Sequence, residues 1–308
     1  MRAIFQTTYG GTDVLQDGEV DEPKIAPDSV LVDVHAAGVN PVDTTIRAGG
    51  LRAAFEHTLP LVLGWDLSGV VSAVGPAVTT YVPGDEVVGY VRKDVVQGGT
   101  YAQRVAAWER HLARKPASVD HATAAGLPLA GLTALQTLEA AGTAAGDTVL
   151  VHAGAGGVGS FAVQLAAARG ACVLATAGPD NHDYLRELGA EPLEYGDGLA
   201  ERVREVATDG VDCAVDLVGG ESVEVSAAVV RDPARSVSVT DPSAIAAHGG
   251  RYVFVRPAPA QLEHLSGLVD DGVVQIPVSG RFPLADAAAA HERLDQRHVR
   301  GKLVLEVV

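Results

Sequence analysis

The chain is poor in cysteine. Two in 308 residues, Cys172 and Cys213, exclude a disulfide framework and a four-cysteine zinc site. Each falls in an apolar, strand-like run, so both are expected to be buried small hydrophobes in a reducing, cytoplasmic setting. Basic residues are scarce too, with 23 Lys and Arg against 39 Asp and Glu for a net charge of −16. That balance disfavours nucleic acid and anionic membranes as partners, because both need clustered Lys and Arg. No apolar run approaches the roughly 20 residues of a membrane helix. The start, Met1-Arg-Ala-Ile-Phe-Gln6, reads as a strand and lacks the apolar core of a signal peptide. The ten histidines form no HxxxH or HxxH pair, and no motif supports a Ser/His/Asp hydrolase or a two-carboxylate glycosidase. Internal repeats are absent.

Glycine is plentiful, and its placement carries chemistry. The apolar run Val149–Val151 reaches Gly154-x-Gly156-x-x-Gly159, and a helical pattern follows at once. A dinucleotide pyrophosphate needs that order. One glycine allows a tight turn, the next lets backbone approach the phosphates, and the third lets the helix pack on the sheet. Free N–H groups and the positive dipole end at the helix start complete an anion site. Gly154, Ala155, Gly156, Gly157, Val158 and Gly159 are therefore candidate cofactor ligands, supported by a second strand at Cys172–Ala177.

The texture of the chain divides it. Up to about residue 114, short strands alternate with Pro, Gly and Asp turns, as in Val30–Ala36, Leu67–Val74 and Glu86–Val91. After Pro116 the pattern becomes helix and strand in alternation. Helices are expected at Asp120–Gly126, Ala130–Ala141, Ser160–Arg169, His182–Leu188, Leu199–Ala207 and Glu221–Val230. Strands are expected at Val149–His152, Cys172–Ala177, Val211–Val218, Ser236–Thr240 and Arg251–Arg256. That is an α/β doubly wound parallel sheet beside a smaller, mostly antiparallel β domain. The tail breaks the alternation, with a helix near Ala260–Asp270, a strand at Val274–Val278, a helix at Leu284–Leu294 and a closing strand Lys302–Val307.

Several stretches in this order and spacing carry a family resemblance. They are Gly38-Val-Asn-Pro-Val-Asp43, Leu59-Pro-Leu-Val-Leu-Gly-Trp-Asp66, Gly84-Asp-Glu-Val-Val-Gly89, Ala125-Gly-Leu-Pro-Leu-Ala-Gly-Leu-Thr-Ala134, the glycine turn, Leu188-Gly-Ala190 and Arg300-Gly-Lys-Leu-Val304. Over almost its whole length the chain resembles the zinc-free quinone oxidoreductases of the medium-chain dehydrogenase/reductase superfamily. The resemblance implies a GroES-like domain of residues 1–118, a Rossmann domain of residues 119–257, and a C-terminal return, residues 258–308, to the first domain. It further implies a homodimer joined through the strand Arg251–Arg256, and reduction of a quinone or α,β-unsaturated carbonyl by NADPH. The alternative is a cofactor-binding member with a regulatory or cyclase-like, non-redox role.

The resemblance assigns Asn40 and Asp43 to the active site and Thr133 to the neighbourhood of the nicotinamide. Asn40-Pro41-x-Asp43 is equally good helix-capping chemistry, and the two roles are compatible. Thr133 also reads as an ordinary helix residue. Zinc alcohol dehydrogenases carry Cys near the position of Asn40 and His within Gly-His-Glu; here the latter stretch is Gly64-Trp65-Asp66, so no metal is expected. Trp65 reads as a wall for a planar substrate or as core. Tyrosines of some relatives are replaced by Thr45 and Leu51, which leaves the proton donor to water or Tyr90. On the cofactor side, Thr176, Gly178, Tyr195, Gly219, Phe254 and Val255 match cofactor contacts. Gly219 also fits a plain strand-end turn, and Phe254 and Val255 fit sheet core. The second strand ends without the acid that binds ribose hydroxyls, which favours NADPH. The usual basic anchor is missing, however, and Asp180 stands nearby, so NADH stays open. Asp180 also reads as the cap of the following helix, which carries Arg186.

Overall fold

A computed structural model describes all 308 residues, and they divide into two compact units. Residues 1–129, 257–272 and 276–308 form the first, and residues 130–256 with 273–275 form the second. The change of texture at Pro116 precedes the end of the first unit, because the short helix His121–Ala124 packs on the strands Ser29–Val39, Asp66–Val74 and Lys302–Glu306.

The first unit is built around the long strand Ser29–Val39, whose alternating Val30, Val32 and Val34 point into a core with Leu67, Val71, Val87 and Leu112. It pairs antiparallel with Asp66–Val74 on one side. On the other side it is shared, Ser29–Asp33 pairing with Arg104–Trp108 and Ala36–Val39 with Lys302–Glu306. The closing strand thus lies beside the chain that leads into Asn40. A further strand, Val278–Pro283, runs parallel to Lys302–Glu306. The expected strand Val274–Val278 does not form: Val274 and Ile276 are buried, but ladder pairing begins at Val278, after Pro277, which has no N–H to give. The expected helix Leu284–Leu294 opens as a 3-10 turn, Leu284–Asp286, before the α-helix Ala287–Asp295.

The second unit holds one fully parallel sheet. Its spatial order is Ala190–Glu194, Cys172–Ala177, Thr148–Val151, Cys213–Asp216, Ser236–Ser238, Arg251–Tyr252. Numbered along the chain from Thr148, that is 3-2-1-4-5-6, the doubly wound arrangement in which the direction of winding reverses beside the first strand. Leu150, Leu174, Leu199, Val203, Ala214 and Val229 pack between sheet and helices. The strand Ala190–Glu194 and the helix Pro242–Ala247 lack a clear periodic signal. The strand expected at Arg251–Arg256 is only Arg251–Tyr252, on the sheet edge. Cys213 is buried, but Cys172 is exposed, because it is the first residue of its strand.

Candidate functional site

In the second unit, the strand Thr148–Val151 delivers the chain to a turn that the neighbouring strand bolts down. Thr176 is buried, its Oγ1 accepting from the Ala153 N–H (3.0 Å) and its carbonyl from the Gly154 N–H (2.9 Å). The left-handed residue of the turn is Ala153, with φ 53°, rather than Gly154. Gly154 is required for clearance, since a Cβ there would stand 2.7 Å from the Ala175 Cβ. Gly159 is tighter still, because its Cβ would lie 2.1 Å from the Ala153 carbonyl oxygen. Gly156 differs: a Cβ there meets only the Ala153 carbonyl, at 3.3 Å. It is the N-cap of the helix Gly157–Ala168, so the N–H groups of Gly157, Val158 and Gly159 have no carbonyl one turn back to bond. Ala155 is buried within the turn. This is a cradle for an anion, open at the glycine where a pyrophosphate requires it.

Most other candidates of this unit follow the ends of its parallel strands. Tyr195 is 53% exposed, and its ring lies 3.8–3.9 Å from where a Cβ on Gly178 would sit. Its loop is held by Arg202, whose guanidinium donates to the carbonyls of Glu194, Gly196 and Asp197. Arg186 is paired with Asp183 at 2.7 Å. Asp180 does not cap the following helix: the capping position is Asn181, which makes no side-chain cap bond, and Asp180 is exposed in the 3-10 turn Pro179–Asn181. Gly219 and Gly220 both have positive φ, 86° and 60°. Sequence reasoning missed the residue that organises them. Asp216 accepts from the N–H groups of Val218 and Gly219 and from the hydroxyls of Ser222, Ser238 and Thr240. Burial pushes this carboxyl up, but those bonds outweigh it and hold the group below its ordinary value. Its only signal was an acid at a strand end just before two glycines. Phe254 is 42% exposed, beyond the strand end, so it is not sheet core; Val255 is half-buried. Their segment is fixed by Gln136, which donates to the Arg256 carbonyl (2.9 Å) and accepts from its N–H (3.1 Å). Thr133, one turn earlier on the same helix, is buried.

In the first unit, Asn40 and Asp43 meet in a buried ionisable cluster. The Asn40 N–H donates to Asp43 Oδ2 at 2.8 Å, so the expected cap is present on the Asp43 side. The Asn40 side chain is engaged elsewhere. Its Nδ2 donates to Asp66 Oδ2 (2.9 Å), and its Oδ1 accepts from the Lys302 ammonium. Lys302 also donates to the Val39 carbonyl (3.0 Å), and Asp66 Oδ1 accepts from the Leu129 N–H (2.8 Å). Below Asp43 runs a chain of bonds. Tyr101 donates to Asp43 Oδ2 (3.2 Å), Tyr101 and His291 Nε2 are 3.1 Å apart, and His291 Nδ1 lies 3.1 Å from Arg47. Arg47 can only donate, so His291 Nδ1 accepts, the ring proton is on Nε2, and Nε2 donates to Tyr101. Gly64 makes room for Tyr101: its φ is 93°, and a Cβ would press 2.5 Å from that ring.

Burial, joined by the repulsion of Asp66, pushes Asp43 up to about 7. Asp66 rises to about 6 for the same first reason, opposed by Lys302 and by the bonds from Asn40 and Leu129. Burial lowers Lys302, and burial with the nearby Arg47 lowers His291 to about 4. The cluster therefore offers a fixed amide beside a carboxyl that is half protonated near neutrality, with Asp43 Oδ1 buried and unbonded. Trp65 is buried and packed on Tyr90 and Phe55, and it also lines a cavity with Ile46, Leu63 and Val91. Tyr90 is fully buried, and that burial raises its hydroxyl above its ordinary value.

The donor set does not suit zinc. Asn40 and Trp65 replace a thiolate and an imidazole, and an ammonium stands against Asn40 and beside Asp66 (4.0 Å). A dinucleotide, by contrast, fits the open glycine cradle of the second unit.

Two family models match parts of the chain. Residues 26–117 match the alcohol dehydrogenase GroES-like domain, and residues 188–305 match the zinc-binding dehydrogenase domain. An NADPH-dependent alkenal/one oxidoreductase of Arabidopsis thaliana is 36% identical over 99% of this chain and 79% of its own length. A quinone oxidoreductase of Pseudomonas aeruginosa is 34% identical over 99% of both chains. A mycobacterial protein solved in complex with NADPH superposes with a TM-score of 0.86 at 30% identity, over 100% of both chains. The chain belongs to the quinone oxidoreductase branch of the medium-chain dehydrogenase/reductase superfamily.

Proposed function

We propose that this protein is a zinc-independent reductase that uses NADPH to reduce the conjugated double bond of an enone, or a quinone. The observation that carries the reading is the Gly156 cradle, open to an anion, in a chain whose relatives include an NADPH-dependent alkenal/one oxidoreductase and a quinone oxidoreductase. NADPH, when bound, supplies the hydride. Gly156, Gly157, Val158 and Gly159 would hold the pyrophosphate through backbone N–H groups, Tyr195 would flank the adenosine phosphate, and Gly219, Phe254 and Val255 would contact the nicotinamide half. The Asn40 amide donates to the substrate carbonyl oxygen, where negative charge builds as hydride arrives at the conjugated carbon. With Arg186 paired and Arg202 occupied by its own loop, the preference for NADPH over NADH rests on Tyr195 and backbone, and is modest. The two free cysteines, one of them exposed, suit a reducing cytoplasm. The short edge strand Arg251–Tyr252, with Tyr252 exposed, suits a homodimer.

The test is NADPH oxidation against a panel of enones and quinones, with calorimetric titration of NADPH and NADH alongside. Turnover of at least one class with tighter NADPH binding is expected. Stoichiometric NADPH binding with no oxidation across the panel would point to the non-redox alternative.

A further inference from the structure

Asn40 is gripped at three points, by its neighbour Asp43 on its N–H and by two groups from more distant parts of the chain, Lys302 on Oδ1 and Asp66 on Nδ2. An ammonium has only donors and a carboxylate only acceptors. Rotating the amide by a half-turn would set its NH2 group against the ammonium and its oxygen against the carboxylate, so both contacts would become repulsive. One amide orientation is therefore enforced. Both grips are themselves anchored, Lys302 by the Val39 carbonyl and Asp66 by the Leu129 N–H. Asn40 is 2% exposed, and Lys302 and Asp66 are buried, so no bulk water competes for these bonds. Of the two donors on the Asn40 side chain, only the second Nδ2–H is uncommitted.

We infer that Lys302 and Asp66 are positioning residues that lock the Asn40 amide so that a single Nδ2–H is left to donate to the substrate's carbonyl oxygen. Neither touches substrate; both act through Asn40. This inference rests on the proposed reduction of an enone or quinone, and it adds two residues to the machinery that general capping or core chemistry would not require. A lysine used only to neutralise Asp66 would have no need to reach the amide oxygen as well.

Removing Lys302 alone leaves Asp66 buried and unpaired, so the discriminating variant is Lys302→Met with Asp66→Asn, which removes both charges together. That double variant is expected to fold and to bind NADPH as the wild type does. It should lose about 30-fold or more in kcat with cyclohex-2-enone or 1,4-benzoquinone, whichever the wild type turns over. Adding Asn40→Ala should then cost at most about twofold more, because the donor is already mispositioned. A purely structural pair would leave kcat within about threefold, or would let Asn40→Ala exert its full separate loss, and either result overturns the inference. A second readout is independent of turnover. In amide proton spectra of 15N-labelled protein, the two Nδ2 protons of Asn40 should be well separated, with one slow to exchange, and both features should vanish in the double variant. If the wild type reduces nothing in the panel, the functional reading fails. Unchanged Asn40 resonances in the double variant would refute the locking itself.

Discussion

On the proposed function the two units present hydrogen-bond donors to a ligand by opposite means. In the second unit the donors are backbone N–H groups, and side chains matter mainly by their absence at Gly154, Gly156 and Gly159. In the first unit the donor is a side chain, and it is held by ionised and ionisable groups from residues 43, 66 and 302. A backbone site is rigid because covalent geometry and the helix make it so. A side-chain site in a buried cluster depends on protonation, and every member must be satisfied at once.

That contrast can be broken from either side. The largest effect is expected from Lys302→Met alone, which strands the fully buried Asp66 and should destabilise the protein by about 3–5 kcal/mol. Adding Asp66→Asn should restore most of it, as read from urea unfolding. Next come the glycines, which should separate cleanly. Gly156→Val brings a Cβ only to 3.3 Å from the Ala153 carbonyl oxygen, a tight contact that a small shift relieves, so the melting temperature should fall little while NADPH affinity falls by about 100-fold or more. Gly159→Val drives a Cβ into the Ala153 carbonyl and should lower the melting temperature itself, by the equivalent of about 3 kcal/mol.

A smaller effect concerns pH. Asp43 and Asp66 are raised in the folded protein to about 7 and about 6. Their contribution to stability is therefore full below about pH 4, the ordinary carboxylate value, and is lost as pH rises through 6 to 7. His291 and His152, held near 4 by burial, work the other way, contributing above about pH 6.5 and losing it as pH falls towards 4. Asp43→Asn should flatten the loss of stability between pH 5.5 and 8 by on the order of 2 kcal/mol, measured as a shift in urea midpoint. The second unit's glycine cradle contains no such group, so NADPH binding should vary far less over that range. The smallest effect is expected from Asp180→Ser, which removes an exposed negative charge beside the expected phosphate. It should tighten NADPH by about threefold to fivefold and leave NADH unchanged by calorimetry.

The same contrast explains what the sequence made legible. The glycine turn is local: strand, three glycines and helix all fall between Thr148 and Ala168, so spacing alone exposed it. Asn40 and Asp43 were legible as a cap and by resemblance for the same reason. The rest of their cluster was not, because Tyr101, His291 and Lys302 reach Asn40 and Asp43 only through long-range pairing, such as that of the closing strand with Ser29–Val39. The strand Ala190–Glu194 is short, with Pro192 among its buried residues, so its pattern resembles a turn as much as a strand. Val274–Val278 misled in the opposite direction, its apolar residues being buried singly without a ladder.

The most direct test is to mix the protein with NADPH deuterated at the transferable position and with cyclohex-2-enone, then locate the label by NMR. Deuterium on the ring carbon β to an intact carbonyl, with a solvent proton on the α carbon, is the expected result. Deuterium on the carbonyl carbon, giving an allylic alcohol, or label retained on bound NADPH, would contradict it.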